Sequence, residues 1–123
     1  MSNVTNNLFS DPTMQGLQFA LNSLSQRQQV LSNNIANAQT PGFVAQDVSF
    51  EDQLSSILSG GASSSANGQG TVLNAADLTS SQDGNRVDLE SQMSKVTETN
   101  IMYDALAQLT ADRLGILNTA ITG

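Results

Sequence analysis

The chain of 123 residues has no cysteine, no histidine and no tryptophan, and each absence excludes a class of chemistry. Without cysteine there is no disulfide, no thiolate metal site and no cysteine nucleophile. Without histidine the chain lacks the commonest general base near neutral pH, and a Ser-His-Asp triad is impossible. The acids are scattered, and no motif pairs two of them for acid–base work. The sequence therefore predicts a protein that is not an enzyme and that takes no cofactor, metal or small-molecule substrate.

Basic residues are also scarce, because four lysines and arginines stand against eleven acids and leave a net charge of -7. Four dispersed bases cannot neutralise a run of phosphates, so we expect no binding of nucleic acid or of an anionic membrane surface. No stretch approaches the roughly 18 apolar residues of a membrane-spanning helix. Residues 1–10 have neither positive charge nor an apolar run, so we expect a disordered segment and not a cleaved secretory signal.

Amide and hydroxyl side chains are abundant instead: asparagine, glutamine, serine and threonine account for 50 residues, against four phenylalanines and one tyrosine. Such a chain buries some apolar surface but has few large side chains to anchor a core. We therefore expect a single domain that completes its core with partners.

The first periodic segment predicts a helix over residues 11–39, capped by Asp11 or Ser10 and with Pro12 in its first turn. Its apolar positions recur at alternating steps of three and four, which is a heptad pattern with one polar member. These positions are Met14, Leu17, Leu21, Leu24, Gln28, Leu31, Ile35 and Ala38. Phe19, Ala20 and Val30 lie off this seam, and we expect them to face a second partner.

A second heptad pattern predicts a helix over residues 87–123, capped by Asp88 after a turn at residues 83–85. Its seam is Leu89, Met93, Val96, Asn100, Tyr103, Ala107, Thr110, Leu114, Leu117 and Ile121. A neighbouring stripe of Met102, Leu106, Leu109 and Ile116 widens the apolar face beyond what a two-stranded coil needs. Asn100 either fixes the register of paired helices or faces solvent at their edge.

The predicted fold is mainly α, with two long heptad-patterned terminal helices packing as a coiled coil. They form either a hairpin with its own core or a pair that buries further surface between copies, as the wide second stripe suggests. Residues 40–86 join them as an extended loop. Short β-like pieces are expected at residues 44–50 and 71–73, one helical turn around Leu54, Ile57 and Leu58, and a flexible Gly/Ser linker at residues 60–70.

The most informative stretch ends the first helix: Asn34-Ile35-Ala36-Asn37, two residues, then Thr40-Pro41-Gly42-Phe43. Pro41 forces Thr40 out of helical geometry, and Gly42 suits the position of a type II turn that needs positive φ. Asn37 can bond the freed carbonyls, and Phe43 points back as an apolar anchor. A Pro-Gly helix stop does not explain the two asparagines that bracket Ile35-Ala36.

This stretch resembles the signature of the bacterial flagellar rod and hook proteins, which often have tyrosine in place of Phe43. The resemblance extends over Ala45, Asp47 and Phe50 and over the entry to the second helix, covering roughly residues 14–58 and 82–121. Distal-rod and hook proteins are longer, with inserted β-domains for which this chain has no room. The chain is therefore most similar to the small proximal-rod proteins.

The resemblance implies a structural subunit of the proximal rod, the periplasmic shaft between the membrane ring and the hook. It implies synthesis in the cytoplasm and export by the flagellar type III system without a cleaved signal. The implied partners are other copies, other rod proteins, the membrane-ring adaptor and the export gate. The alternatives are another small rod protein of this family and a soluble helical adaptor or chaperone that binds a partner helix.

We expect two sets of residues to carry this function. The motif residues Asn34, Ile35, Ala36, Asn37, Thr40, Pro41, Gly42 and Phe43 are expected to set the end of the first helix and the following loop. The expected assembly interface comprises Leu17, Leu21, Leu24, Leu31, Ile35, Met93, Val96, Asn100, Tyr103, Leu114, Leu117 and Ile121.

Overall fold

The computed structural model describes residues 11–60, 68–74 and 89–122. Its elements, in chain order, are α1 (Pro12–Ala36), β1 (Gln46–Ser49), α2 (Glu51–Leu58), β2 (Thr71–Asn74) and α3 (Leu89–Thr122). This part of the chain is thus mainly helical, as predicted, with one small antiparallel sheet. The expectations for residues 1–10, most of the Gly/Ser linker, the turn at 83–85 and the Asp88 cap lie outside the described residues.

Helix α1 begins as the sequence predicts, because the Asp11 carboxylate accepts a hydrogen bond from the Thr13 amide at 3.2 Å. Pro12 stands in the first turn, where its missing N–H group is not needed. The helix ends at Ala36, three residues before the predicted end. Asn37 leaves helical geometry at φ -106° and ψ 16°, and the Ala38 amide then bonds the Ile35 carbonyl in a tighter turn.

The segment after α1 folds back on it as a strand and a short helix. Strand β1 pairs antiparallel with β2, with Val48 opposite Val72. A Cβ atom on Gly70 would lie 2.7 Å from the Ser49 carbonyl oxygen, so only glycine allows the chain to enter β2 this close to β1. Helix α2 has eight residues, about two turns instead of the predicted one, because Glu51 and Asp52 stabilise its first turn.

The hydrophobic core lies between α1 and this returning segment. Its buried members are Phe19, Ala20, Leu24, Val48, Phe50 and Ile57. The rings of Phe19 and Phe50 meet edge to face, with centroids 6.5 Å apart. Phe19, Ala20 and Val30, which we expected to face a second partner, therefore pack against the chain's own middle segment.

Helix α3 packs antiparallel along α1. Side-chain contacts join Asp11 to Arg113, Gln28 to Asn100, and Asn34 to Gln92. Only half-buried residues of α3, among them Tyr103 and Leu106, reach the core cluster. Arg113, in the last third of α3, pairs with Asp11, the residue before α1, so the C-terminal part of α3 lies near the start of α1.

Candidate functional site

The motif residues Thr40 to Phe43 form the tight turn that the sequence predicts. The Phe43 amide donates to the Thr40 carbonyl at 3.2 Å, which places Pro41 and Gly42 at the two central positions. Gly42 has φ of 77°, a conformation that costs other residues about 1–2 kcal/mol. Phe43, expected to point back as an apolar anchor, is half-buried but belongs neither to the core cluster nor to the half-buried residues packed against it. The turn reverses the chain so that β1 can lie along α1.

Asn34 is the centre of a polar junction between α1, β1 and α3, and its side chain is fully buried. Its amide oxygen accepts from the Gln46 backbone N–H at 2.9 Å, and its amide nitrogen donates to the Gln46 carbonyl at 2.7 Å. The same nitrogen donates to the Gln92 side-chain oxygen at 2.9 Å. Asn34 thus bonds both backbone groups of Gln46, as a residue of a neighbouring strand would, and it also binds α3 through Gln92.

Asn37 has a different role, although it belongs to the same motif. Its amide nitrogen donates to the Asn33 carbonyl at 2.9 Å and to the Asn33 side-chain oxygen at 3.1 Å. Its oxygen accepts from the Thr40 hydroxyl at 3.3 Å. The side chain therefore adds a second donor to the Asn33 carbonyl, which also accepts from the Asn37 backbone amide at 3.1 Å, and it joins the end of α1 to the turn. The two asparagines that bracket Ile35-Ala36 are explained by these separate roles.

Arg27 fixes the other end of β1 to α1. Its guanidinium donates to the Val48 carbonyl and, at 3.0 Å, to the Glu51 carboxylate, and it lies 4.7 Å from the centroid of the Phe50 ring. Partial burial raises the pKa of Glu51, but hydrogen bonds from the Phe50 amide and from Arg27 outweigh it and hold that pKa below its ordinary value. Arg27 was not singled out by sequence reasoning, because its partners lie about twenty residues away.

The face of α3 that packs toward α1 follows alternating steps of four and three. Its buried or half-buried members are Gln92, Val96, Thr99, Tyr103, Leu106, Thr110, Arg113 and Leu117. Half of them belong to the predicted seam, and the rest are displaced by about one residue. The displacement arises because the contacts of Asn34 with Gln92 and of Asp11 with Arg113 turn those positions inward.

The residues expected to form an assembly interface therefore divide into two groups. Leu17, Leu24, Leu31 and Leu117 are buried, and Leu21, Ile35, Val96 and Tyr103 are half-buried, all within the chain itself. Met93, Asn100, Leu114 and Ile121 are exposed. The second group is the more accessible to another molecule while α1 and α3 stay together.

The polar members of the two predicted heptad patterns meet each other. The Gln28 amide donates to the Asn100 side-chain oxygen across the edge of the α1–α3 pair. Asn100 is exposed, so it both lies at a wet edge and links the two helices at one register. The two readings that the sequence left open for Asn100 are thus compatible.

Exposed apolar side chains are concentrated on α3. Among the described residues, nine large apolar side chains are exposed, and seven of them are on this helix: Leu89, Met93, Ile101, Leu109, Leu114, Ile116 and Ile121. Several exposed large apolar side chains along one helix are typical of a surface that contacts another protein.

The described ranges give no sign of a metal centre, because they bring no three acidic side chains together. Nor does any helix in those ranges have the length and apolarity needed to cross a membrane. The described residues form a pair of helices, α1 and α3, with an exposed apolar surface on α3 and the polar junction of Asn34 at one end.

Known proteins are similar both to the segment that contains the motif and to most of the rest of the chain. Residues 14–43, which cover most of α1 and the turn, match the family described as "Flagella basal body rod protein", so this part of the chain is similar to that class of protein. The chain is 33% identical over 126 residues to flagellar basal body rod protein FlgB of Bacillus subtilis (strain 168), covering 94% of this chain and 97% of the relative. It is 28% identical over 138 residues to FlgB of Escherichia coli (strain K12), covering 92% and 96%. The chain therefore belongs to the FlgB family of flagellar basal body rod proteins.

Proposed function

We propose that the chain is a structural subunit of the rod of the bacterial flagellar basal body, and that it has no catalytic role. The observation that carries this proposal is the exposed apolar surface of α3, in a chain whose relatives are named as rod proteins over nearly their whole length. Seven exposed apolar side chains on one helix are costly for a protein that works alone. They are expected for a subunit that is buried among neighbours.

Within the subunit, α1 and α3 pack as an antiparallel coiled coil. The alternating four- and three-residue steps from Gln92 to Leu117 support this packing, as do the buried heptad positions of α1. Several contacts on the α3 side are polar, at Gln92, Thr99 and Thr110. The coil is therefore expected to be weak in a dilute subunit and to be completed by neighbours in the rod.

Contacts between subunits are formed by the exposed members of the predicted interface. Met93, Leu114 and Ile121 line one edge of α3. The neighbours are other copies of the chain, other rod proteins and, at the base, the membrane-ring adaptor and export gate.

The motif residues prepare the subunit for this packing. Asn34, Asn37 and Gly42 end α1 and turn residues 43–58 back along its flank, where they cover Phe19 and Ala20. This flank of α1 is therefore covered by the chain itself, and most of the exposed large apolar side chains of the described residues are on α3. The subunit reaches the periplasm through the flagellar type III system without a cleaved signal, and its lack of cysteine suits that oxidising compartment.

Immuno-electron microscopy of purified basal bodies, with an antibody raised against the chain, tests the proposal. Label on the rod, between the membrane ring and the hook, is the expected result. A soluble adaptor or chaperone would instead stay in the cytoplasmic fraction as a folded monomer or dimer, and a basal body without label would contradict the proposal.

A further inference from the structure

We propose that the side of α3 facing away from α1 docks against an apolar helix of a different protein that carries lysine or arginine, and not against a second copy of this chain. This inference rests on the proposed function and names the kind of neighbour that one surface takes. The surface, here called the outer face, consists of Glu98, Ile101, Ala105, Leu109, Asp112 and Ile116, and all six are exposed.

The spacing of the outer face places its members on one side of the helix. The steps of three and four residues follow the 3.6-residue turn, opposite the positions that pack on α1. Ile101, Leu109 and Ile116 are 64%, 52% and 69% exposed. Their spacing is that of the anchors by which a helix lies against another helix or in a groove.

Each of these apolar residues has an acid one turn away. Glu98 precedes Ile101 by three residues, and Asp112 follows Leu109 by three and precedes Ile116 by four. Neither acid forms an ion pair with a base in residues 11–60, 68–74 or 89–122. The outer face is therefore apolar along its centre and only negative in its charged positions.

The bases of α3 point the other way. Lys95 lies 3.6 Å from the Asp47 carboxylate of β1, and Arg113 pairs with Asp11 at the start of α1. Arg27 of α1 is engaged by Asp47 and Glu51. Every base within the described ranges is thus used by the chain's own acids, and the fourth base, Arg86, lies outside those ranges.

This separation of charge favours a different protein over a second copy of the chain as the molecule that binds the outer face. If two copies joined through their outer faces, Glu98 and Asp112 of each copy would find no base on the facing surface, whichever way the helices ran, and burying an unpaired acid is unfavourable. No described base of another copy is free to offset them. A different protein that presents apolar residues flanked by lysine or arginine would bury Ile101, Leu109 and Ile116 and pair with Glu98 and Asp112.

The composition of the chain makes a clean cross-linking test possible. The chain has no cysteine, and Lys95 is its one lysine. Ala105→Cys places a thiol in the centre of the outer face, and Ser56→Cys places one on the exposed side of α2 as the matched control. Basal bodies carrying either variant are treated with a short thiol-to-amine reagent and, separately, with a thiol-to-thiol reagent.

The expected result is a thiol-to-amine product between Cys at 105 and a lysine of a different protein, with apolar residues three or four positions from that lysine by mass spectrometry. In the variant that also carries Glu98→Arg and Asp112→Arg, which reverses the charge without adding an amine, the product is expected to fall at least tenfold. The Ser56→Cys control is expected to give no such charge-dependent product.

Three results would overturn the inference. Dimers of the Ala105→Cys chain with the thiol-to-thiol reagent would show that two copies meet at the outer face. A basal body that contains the chain but gives no charge-dependent product, either with the thiol-to-amine reagent or with a thiol-to-guanidinium reagent that carries a glyoxal group, would show that the face has no basic neighbour. A basal body that lacks the chain altogether would refute the proposed function itself, and this inference with it.

Discussion

At the scale of single residues, the most consequential side chain is Asn34. Its amide pairs with both backbone groups of Gln46 and with Gln92, which lies on another helix. The sequence marked Asn34 as unexplained by a helix stop, but it could not supply the role, because the partners lie 12 and 58 residues away. By contrast, the Asp11 cap and the positive φ of Gly42 were predicted, since both depend on adjacent residues alone.

Asn34→Asp is expected to lower the free energy of unfolding by about 2–3 kcal/mol at pH 7, because a carboxylate cannot donate to the Gln46 carbonyl or to Gln92. Asn33→Asp is the matched control. Asn33 uses its side-chain oxygen as an acceptor, and it stands at the same end of α1, so both variants meet the same helix dipole. Urea unfolding measures the difference, and equal losses in the two variants would show that the Asn34 junction is not important for stability.

Glu51 gives the fold a dependence on pH. The Phe50 amide and Arg27 hold its pKa below the ordinary value of 4.5, so its contribution to stability is present above that pH and is lost as pH falls through the folded-state pKa. The stability difference between the native chain and Glu51→Gln is therefore expected to be constant above about pH 5 and to shrink in more acidic solution. A difference that does not vary between pH 3 and pH 7 would contradict this role.

At the scale of elements, the two long helices differ in what they bury. Heptad periodicity predicted both helices and the buried side of α1, because apolar leucines dominate one stripe there. It did not predict the rotation of α3, which has two adjacent apolar stripes of similar strength. Contacts with Asn34 and Asp11 select the side that faces α1, and such distant polar contacts leave no local pattern. The pairing of β1 with β2 was likewise not predicted, since each strand has four residues.

Two leucine truncations test where the core lies. Leu24→Ala, in the centre of α1 and fully buried, is expected to lower the free energy of unfolding by about 3 kcal/mol through the cavity that it leaves. Leu109→Ala, on the exposed side of α3, is expected to change it by less than about 0.5 kcal/mol. Thermal or urea unfolding compares them. Similar losses in the two variants would mean that α3 is covered in the isolated chain.

Leu114 and Leu117 are three residues apart on α3 but have different surroundings, with exposures of 41% and 8%. Leu117→Asp would bury an unpaired charge and is expected to reduce the helix content in solution. Leu114→Asp is expected to keep the native circular dichroism spectrum and yet to abolish swimming, because its charge is buried only between subunits. A Leu114→Asp strain that swims normally would remove Leu114 from the assembly interface.

At the scale of the whole molecule, one flank of α1 is covered by the chain's own middle segment, whereas much of α3 is exposed. Residues 43–58 and β2 close the flank of α1, and three ion-paired bases hold this arrangement together. Seven of the nine exposed large apolar residues of the described ranges lie on α3, together with several acids that form no ion pair with a described base. Composition alone indicated a protein that finishes its core with partners, and family membership gives those partners a place in the basal body.

Electron microscopy of basal bodies from a strain that lacks this chain tests the central claim most directly. If the chain is a rod subunit of this family, membrane rings are expected to form without a rod or hook, and a plasmid copy of the native chain should restore both. Complete rods and hooks in the deletion strain would contradict the account.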